Sequence, residues 1–267
     1  MTLAESYDPS QNIFIDESMV CFKDRSTMKQ YLPMKSIKRG FKIWCSSCSC
    51  CGYLLKFIYT PAWRPERSRT RYRVVTHLVI PRFRSNMDNF FTSIAIFRKL
   101  SENCILACGT YRTSRIGLPA DLADRMSWSH WDAASIVQYK GNTTAIVWID
   151  QKSLYVIPNA HLPTTTMVKG GNSHVSKSEV SCSTPVSESN RHMGGVDLLD
   201  QHKCYYSYNG KSKHWWLHHF IHMFDLSIVN AYIYILYNMR IEYTFIHHWN
   251  PSWRITWSSE WRWTTSW

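Results

Sequence analysis

The sequence predicts an α/β protein, and three observations carry that expectation. Short β-rich runs open the chain, at residues 12–22, 40–45 and 53–59. Segments with apolar residues at helical spacing then alternate with further β-rich runs. A long helical pattern follows late, over residues 213–240.

Residues 1–12 are polar and without pattern, as at a frayed start. The first β-rich run contains Asp16, and a charge inside a core strand is exceptional, so Asp16 is a candidate functional residue. In the second, Phe41, Ile43 and Cys45 alternate with Lys42 and Trp44; the third follows Gly52, which marks a turn. Three consecutive strands with short connections imply an antiparallel meander. Arg64, Arg67, Arg69, Arg71 and Arg73 then crowd one segment. Their planar donor forks suit phosphate, while a solvated charged turn explains them equally well. A helix through Val75, Leu78 and Val79 should stop at Pro81. The next strand must run through residues 81–87, yet a proline is poorly tolerated within a central strand. Asp88 comes next, at the mouth of a helix whose Phe90, Phe91, Ile94, Phe97 and Leu100 form a core stripe. Residues 104–111 read as another strand.

Further along, residues 135–139, 144–148 and 153–157 are β-like runs separated by turn signals, and together suggest a small β module. Residues 169–189, rich in Gly, Ser, Thr and Asn, suggest a flexible loop. In the late helix, Trp215, Trp216, Phe220, Phe224, Ile228, Ala231, Tyr232 and Ile235 form a broad apolar face expected to pack on the sheet. His218 and His222 have the i, i+4 spacing of a zinc pair, but the glutamate of a zinc hydrolase is missing, and core-edge histidines are the reading. The tail, residues 246–267, is rich in tryptophan and suggests no function.

Lys plus Arg number 31 against 19 acids, a formal charge of +12. Such a balance favours a polyanionic partner, with a merely basic soluble protein as the alternative. Thirteen tryptophans and fifteen tyrosines suit a large aromatic core or surfaces that stack on bases. No signal segment and no uninterrupted apolar run long enough for a membrane is apparent, so the nine cysteines are expected to be reduced and intracellular. Cys45 and Cys48 have the spacing of half a zinc site; with no second pair, a strand and turn is the reading.

Three strands, a helix, a strand, a helix and a strand is the order of a ribonuclease-H-like fold, whose active site gathers distant carboxylates at one end of a central sheet. Asp16 and Asp88 fit that demand, and the third acid should come from a later helix. Asp197 and Asp200 follow Gly194 and Gly195 and share one helix face. Such a pair can hold a hard divalent cation, or can reflect the preference of acids for a helix N-terminus. The 109 residues between Asp88 and Asp197 (197 − 88) are too many for a direct connection, so a segment is inserted. The expected divisions are 1–127 and 191–245 for the catalytic fold, 128–190 for the insertion and 246–267 for the tail.

Several motifs agree in order with one family. They are Ile13-Phe14-Ile15-Asp16-Glu17-Ser18-Met19, Tyr31-Leu32-Pro33-Met34-Lys35, Ile37 to Trp44, Met87-Asp88-Asn89-Phe90-Phe91, Cys108-Gly109-Thr110-Tyr111-Arg112, Val147-Trp148-Ile149-Asp150-Gln151-Lys152, Met193-Gly194-Gly195-Val196-Asp197 and Val229-Asn230-Ala231-Tyr232. The chain resembles transposases of the piggyBac family over about residues 13–240. The resemblance implies a DDE/DDD transposase fold with an inserted β-rich module. It implies that Asp16, Asp88 and Asp197 are the catalytic metal ligands, with Asp200 as an accessory acid. It further implies two Mg²⁺ or Mn²⁺ ions, cleavage and transfer of double-stranded DNA at transposon ends and target, a homodimer, no membrane, and a nuclear location. Lys38, Arg39, Lys42, Arg67, Arg69, Arg71, Lys211 and Lys213 are the basic residues expected to meet DNA. The family's amino-terminal DNA-binding region and cysteine-rich zinc module find no counterpart here. An active enzyme therefore stands beside a domesticated, catalytically inactive DNA- or chromatin-binding protein, or a decaying transposon remnant.

Overall fold

The ten-residue strand β1 (Asn12–Cys21) is the axis of the fold. In this computed structural model, residues 10–33, 35–59, 67–112, 133–139, 143–149, 153–159, 164–170, 178–206 and 212–249 are described. On one side β1 pairs antiparallel with β3 (Arg39–Cys48), which in turn holds β2 (Gln30–Tyr31) and β4 (Leu54–Tyr59). On the other side it pairs in parallel with β5 (Arg84–Met87), which is followed by the parallel β6 (Ala107–Tyr111). The helix α1 (Arg67–Leu78) connects β4 to β5, and α2 (Ile94–Glu102) makes the crossover from β5 to β6, as parallel neighbours require. Ser93 caps α2, its side chain accepting from the Ile96 N–H.

Successive residues of β1 face opposite sides of the sheet. Ile15 joins Val74, Val75, Leu78, Phe91, Phe97 and Leu100 in the core under α1 and α2. Its neighbour Phe14 faces the helix α4 (Gly195–Tyr206) on the other side. A strand covered on both faces should be apolar throughout, and Ile13, Phe14 and Ile15 are.

The structure corrects four expectations. Pro81 lies outside the strand: the Phe83 N–H donates to the Ile80 carbonyl at 2.9 Å, so the proline occupies the second position of a turn, where its fixed φ is favourable. β5 begins only at Arg84, and Asp88 follows directly on its end; with the two-residue β2 counted, this is the fifth strand. The runs read as a separate β module, β7 (Ala133–Tyr139), β8 (Thr143–Ile149) and β9 (Ser153–Pro158), extend the central sheet because β9 pairs antiparallel with β6. Of residues 169–189, those described (169–170 and 178–189) are regular, with β10 (Thr165–Gly170) and β11 (Ser178–Ser183) forming a ribbon that leads into α3 (Thr184–His192). Small polar residues hid that ribbon, and Pro185 suits the first turn of the helix that follows.

The fourth correction concerns α5 (Trp215–Trp249). The apolar stripe expected to pack on the sheet is exposed: Trp216 is 54% accessible, Phe220 62% and Phe224 58%, and Trp215, Ile228, Tyr232 and Ile235 are exposed too. The buried face is the more polar one, with His222, Asp225, Leu226, Val229 and Asn230. Asn230 explains why. The β3–β4 ladder shifts register between Ser46 and Ser47, and the Asn230 amide takes both backbone groups of Leu54, accepting from its N–H and donating to its carbonyl, each at 2.9 Å. His218 and His219 add ring contacts with Phe22, Phe41 and Tyr59. Trp215–Met239 is also long and apolar enough to cross a membrane, by length and composition only; single polar residues had broken that run in the sequence. The chain forms two compact units, Met1–Asn230 and Ala231–Trp267. Residues 250–267, most of the tryptophan-rich tail, lie outside the described residues.

Candidate functional site

The parallel register of β1 and β5 places Ile15 opposite Met87. Asp16 and Asp88 are the next residues on each strand's path, so Asp16, in the middle of β1, lies beside Asp88, just past the end of β5. The chain turns away immediately after Asp88, whose carbonyl accepts from the N–H groups of Phe91 and Thr92. From β6, the Thr110 hydroxyl donates to Asp88 Oδ1 at 3.4 Å.

Asp197 lies in the first turn of α4 and is linked to this group electrostatically through Lys35, and two glycines seat that helix. A Cβ on Gly195 would lie 2.9 Å from the Cys48 carbonyl oxygen, 3.0 Å from Ser47 Oγ and 3.1 Å from Phe14 Cβ. Gly52, at φ +76° in the turn before β4, would place a Cβ 2.9 Å from the Leu199 nitrogen. Only without those side chains can the first turn of α4, which carries Asp197, lie directly on β1 and β3.

Asp200, one turn on, is committed elsewhere. Its Oδ1 accepts from Ser18 Oγ at 2.6 Å and from Lys203 Nζ at 2.9 Å. Ser18 lies on β1, so the accessory acid of the sequence reading is a tie between helix and sheet. Lys203, 7% exposed, is a buried cation with this carboxylate as its ion-pair partner.

The acids sense one another. Burial, followed by the adjacent Glu17, pushes the Asp16 carboxyl up to about 7; Asp88 adds to the rise and Lys35 opposes it. Lys35 Nζ lies 3.5 Å from Glu17 Oε1 and 3.9 Å from Asp16 Oδ2. Burial works against the Lys35 ammonium, but Asp16, Glu17 and Asp197 outweigh it and hold its pKa above the ordinary value. Lys42 completes the group, 3.5 Å from Glu17 Oε2 and 3.7 Å from the centroid of the Trp44 ring. Among the described residues, no three His, Cys, Asp or Glu side chains stand close enough to hold a metal ion. The chemistry of the donor set nevertheless suits one: carboxylates are hard oxygen ligands, and a bound cation would favour the ionised form of the buried Asp16. The cation within this cluster is Lys35.

A pH dependence follows. A carboxyl whose folded pKa is raised stabilises the fold fully below its unfolded value near 4, and that contribution is lost as pH rises through about 7. Asp16→Asn removes the group that must ionise. Without added metal, the variant should melt a few degrees, roughly, above the wild type at pH 8 and show less advantage at pH 5. Thermal denaturation at the two pH values checks this, and an unchanged melting difference between them would contradict it.

The basic candidates fare unevenly. Lys38, Arg39 and Lys213 are exposed, with Arg39 also 5.6 Å from the Tyr31 ring centroid. Lys42 is not free for phosphate, because Glu17 and Trp44 hold it. Arg71 lies over the Phe90 ring at 6.0 Å. Arg67 and Arg69 lie on α1, with side chains outside the described residues, as is Lys211 altogether. The two histidines do not pair: His218 Nε2 donates to the Ser212 carbonyl at 2.9 Å, whereas His222 is buried and, chiefly by desolvation, kept neutral. None of the nine cysteines is joined in a disulfide. Cys48 is acidified to about 5, first by its contact with Cys51 and against its own burial.

Sequence reasoning missed Glu17, Ser18, Lys35 and Lys203 as parts of this group. Lys35 was legible only as a motif letter, since it sits between β2 and β3 in a turn where the Lys35 N–H donates to the Leu32 carbonyl at 3.3 Å. Lys203 carried a weak signal as a base at i+3 from Asp200.

Comparison with known proteins agrees with the geometry. A family model described as Transposase IS4 matches residues 2–232. The human PiggyBac transposable element-derived protein 3 is 27% identical over 246 residues, which cover 84% of this chain and 40% of that protein. The human Chimeric ERCC6-PGBD3 protein matches at the same identity over 22% of its length. The chain thus spans less than half the length of these curated relatives. Among solved structures, the cryo-EM piggyBac transposase synaptic complex with hairpin DNA superposes with a TM-score of 0.73 at 20% identity, over 90% of this chain and 50% of that one. The mixed sheet covered by helices on both faces is the DDE transposase fold. Family model, relatives and fold converge, and this chain belongs to the piggyBac-type transposase family.

Proposed function

We propose that this chain is a transposase catalytic core that cleaves DNA and transfers the cut strand in a metal-dependent reaction. The observation that carries the reading is the adjacency of Asp16 and Asp88 on parallel strands, with Asp197 on a helix seated by glycine over the same sheet. Asp16, Asp88 and Asp197 would hold Mg²⁺ or Mn²⁺. Two such ions, when bound, supply a readied oxygen nucleophile and a stabilised leaving oxygen at phosphorus. The protein's own contribution is positional. The sheet fixes Asp16 against Asp88, Thr110 orients the Asp88 carboxylate, and the Ser18–Asp200 bond keeps α4 on the sheet. The exposed Lys38, Arg39 and Lys213 suit phosphate contacts that give affinity without sequence readout. Duplex DNA as partner is supported by the DNA-bound state of the solved relative, and the nucleus is the location that such a partner implies.

Asp197→Ala tests the reading. Cleavage of a labelled duplex in Mn²⁺ should fall by about a thousandfold or more, with DNA affinity unchanged, since one ligand of an ion that acts in the transition state is lost. Equal cleavage by variant and wild type would end it. Duplex binding that weakens steeply with salt, without any metal-dependent cleavage, would instead identify a DNA- or chromatin-binding protein that keeps the fold alone.

A further inference from the structure

Lys35 has no part in the carboxylate chemistry, yet it occupies its centre. Its ammonium touches Asp16 and Glu17 and interacts with the charge on Asp197. The side chain is one-third exposed, so it is not locked in the core. Its backbone belongs to a turn between β2 and β3, and its side chain reaches Asp16 and Glu17 in the middle of β1. Glu17 is held independently by Lys42, so it offers Lys35 a fixed second anchor beside the acids.

We propose that Lys35 is a displaceable internal cation, which neutralises the carboxylates when no divalent ion is present and yields Asp16 when one binds. This rests on the assignment of Asp16, Asp88 and Asp197 as metal ligands. The ammonium and a dication within a few ångströms of one carboxylate repel each other, so metal binding must move Lys35 toward Glu17 or toward solvent. An incoming DNA phosphate would draw the ammonium in the same outward direction. Metal and DNA therefore bind cooperatively through this one side chain, and by linkage each strengthens the other equally.

The test is Mn²⁺ titration of the full chain, with free Mn²⁺ counted by electron paramagnetic resonance, for the wild type, Lys35→Gln, Lys35→Arg and Lys23→Gln. A unit charge removed from about 6 Å of a dication, at high dielectric, should tighten binding about tenfold in Lys35→Gln. Lys35→Arg keeps the charge and Lys23→Gln changes an exposed one that has no part in the site, so both should stay near the wild type. Saturating duplex DNA should tighten Mn²⁺ binding to the wild type and add little for Lys35→Gln. Equal Mn²⁺ affinity in the wild type and Lys35→Gln would overturn the role of Lys35 while leaving the ligand assignment intact. Lack of Mn²⁺ binding by either protein would overturn both. A purely structural role predicts that Lys35→Gln melts lower and binds Mn²⁺ more weakly, the opposite sign.

Discussion

Asp200→Ala should lower the unfolding free energy by about 2 kcal/mol, because it leaves the buried Lys203 charge without the half-buried carboxylate that pairs with it. Lys203 would remain almost inaccessible to water with its carboxylate gone, and Ser18 would lose its acceptor. Replacing both members with apolar groups of similar volume removes the charge along with its partner, so Asp200→Ala/Lys203→Met should recover most of the loss. Urea denaturation of the two variants beside the wild type is the measurement. A loss under about 1 kcal/mol, the range of an exposed pair, would mean that the tie is solvated and unimportant. Failure of the double variant to recover would place the cost in the helix–sheet contact itself.

Gly195→Val should be nearly as damaging, for a steric reason. Its Cβ would fall 2.9 Å from the Cys48 carbonyl oxygen and crowd Ser47 and Phe14, none of which can retreat without moving a core strand. Overpacking of this kind costs about 1–3 kcal/mol, and the helix relieves it by lifting from the sheet. Lifting carries Asp197 away from Asp16 and Asp88, so the surviving folded fraction should bind Mn²⁺ weakly. Gly194→Val is the internal control, since nothing lies within 4 Å of a Cβ there. Equal effects at the two glycines, measured by melting temperature and Mn²⁺ titration, would refute the seating argument.

The architecture around β1 was readable because strands, crossover helices and their apolar stripes obey local periodicities. Phe91, Phe97 and Leu100 announce a core helix wherever they occur at that spacing. Asp16 stood out for a related reason, as a charge inside a core strand, whereas Asp88 and Asp197 joined it only through the order of elements and the family motifs. What escaped notice depends on pairings between distant segments. Nothing local says that β9 pairs with β6, or that Asn230 satisfies Leu54 across 176 residues. The orientation of α5 was misread because hydrophobicity was taken as the guide to burial, whereas a ladder interruption in β4 called for an amide. Lys35 was hidden by its setting in a turn, where a lysine is the least informative of residues.

The bond between Ser18 and Asp200 spans 182 residues. Asp16 and Asp88, with the strands that hold them, leave the ribosome before Asp197 and can settle into place beside one another first. Asp197 emerges only after β7 to β11 and α3 have been synthesised. A nascent chain therefore carries an incomplete acid set while those intervening elements are made, and the third carboxylate arrives together with the serine–aspartate clasp that secures its helix. Completion of the acid set is timed by translation itself.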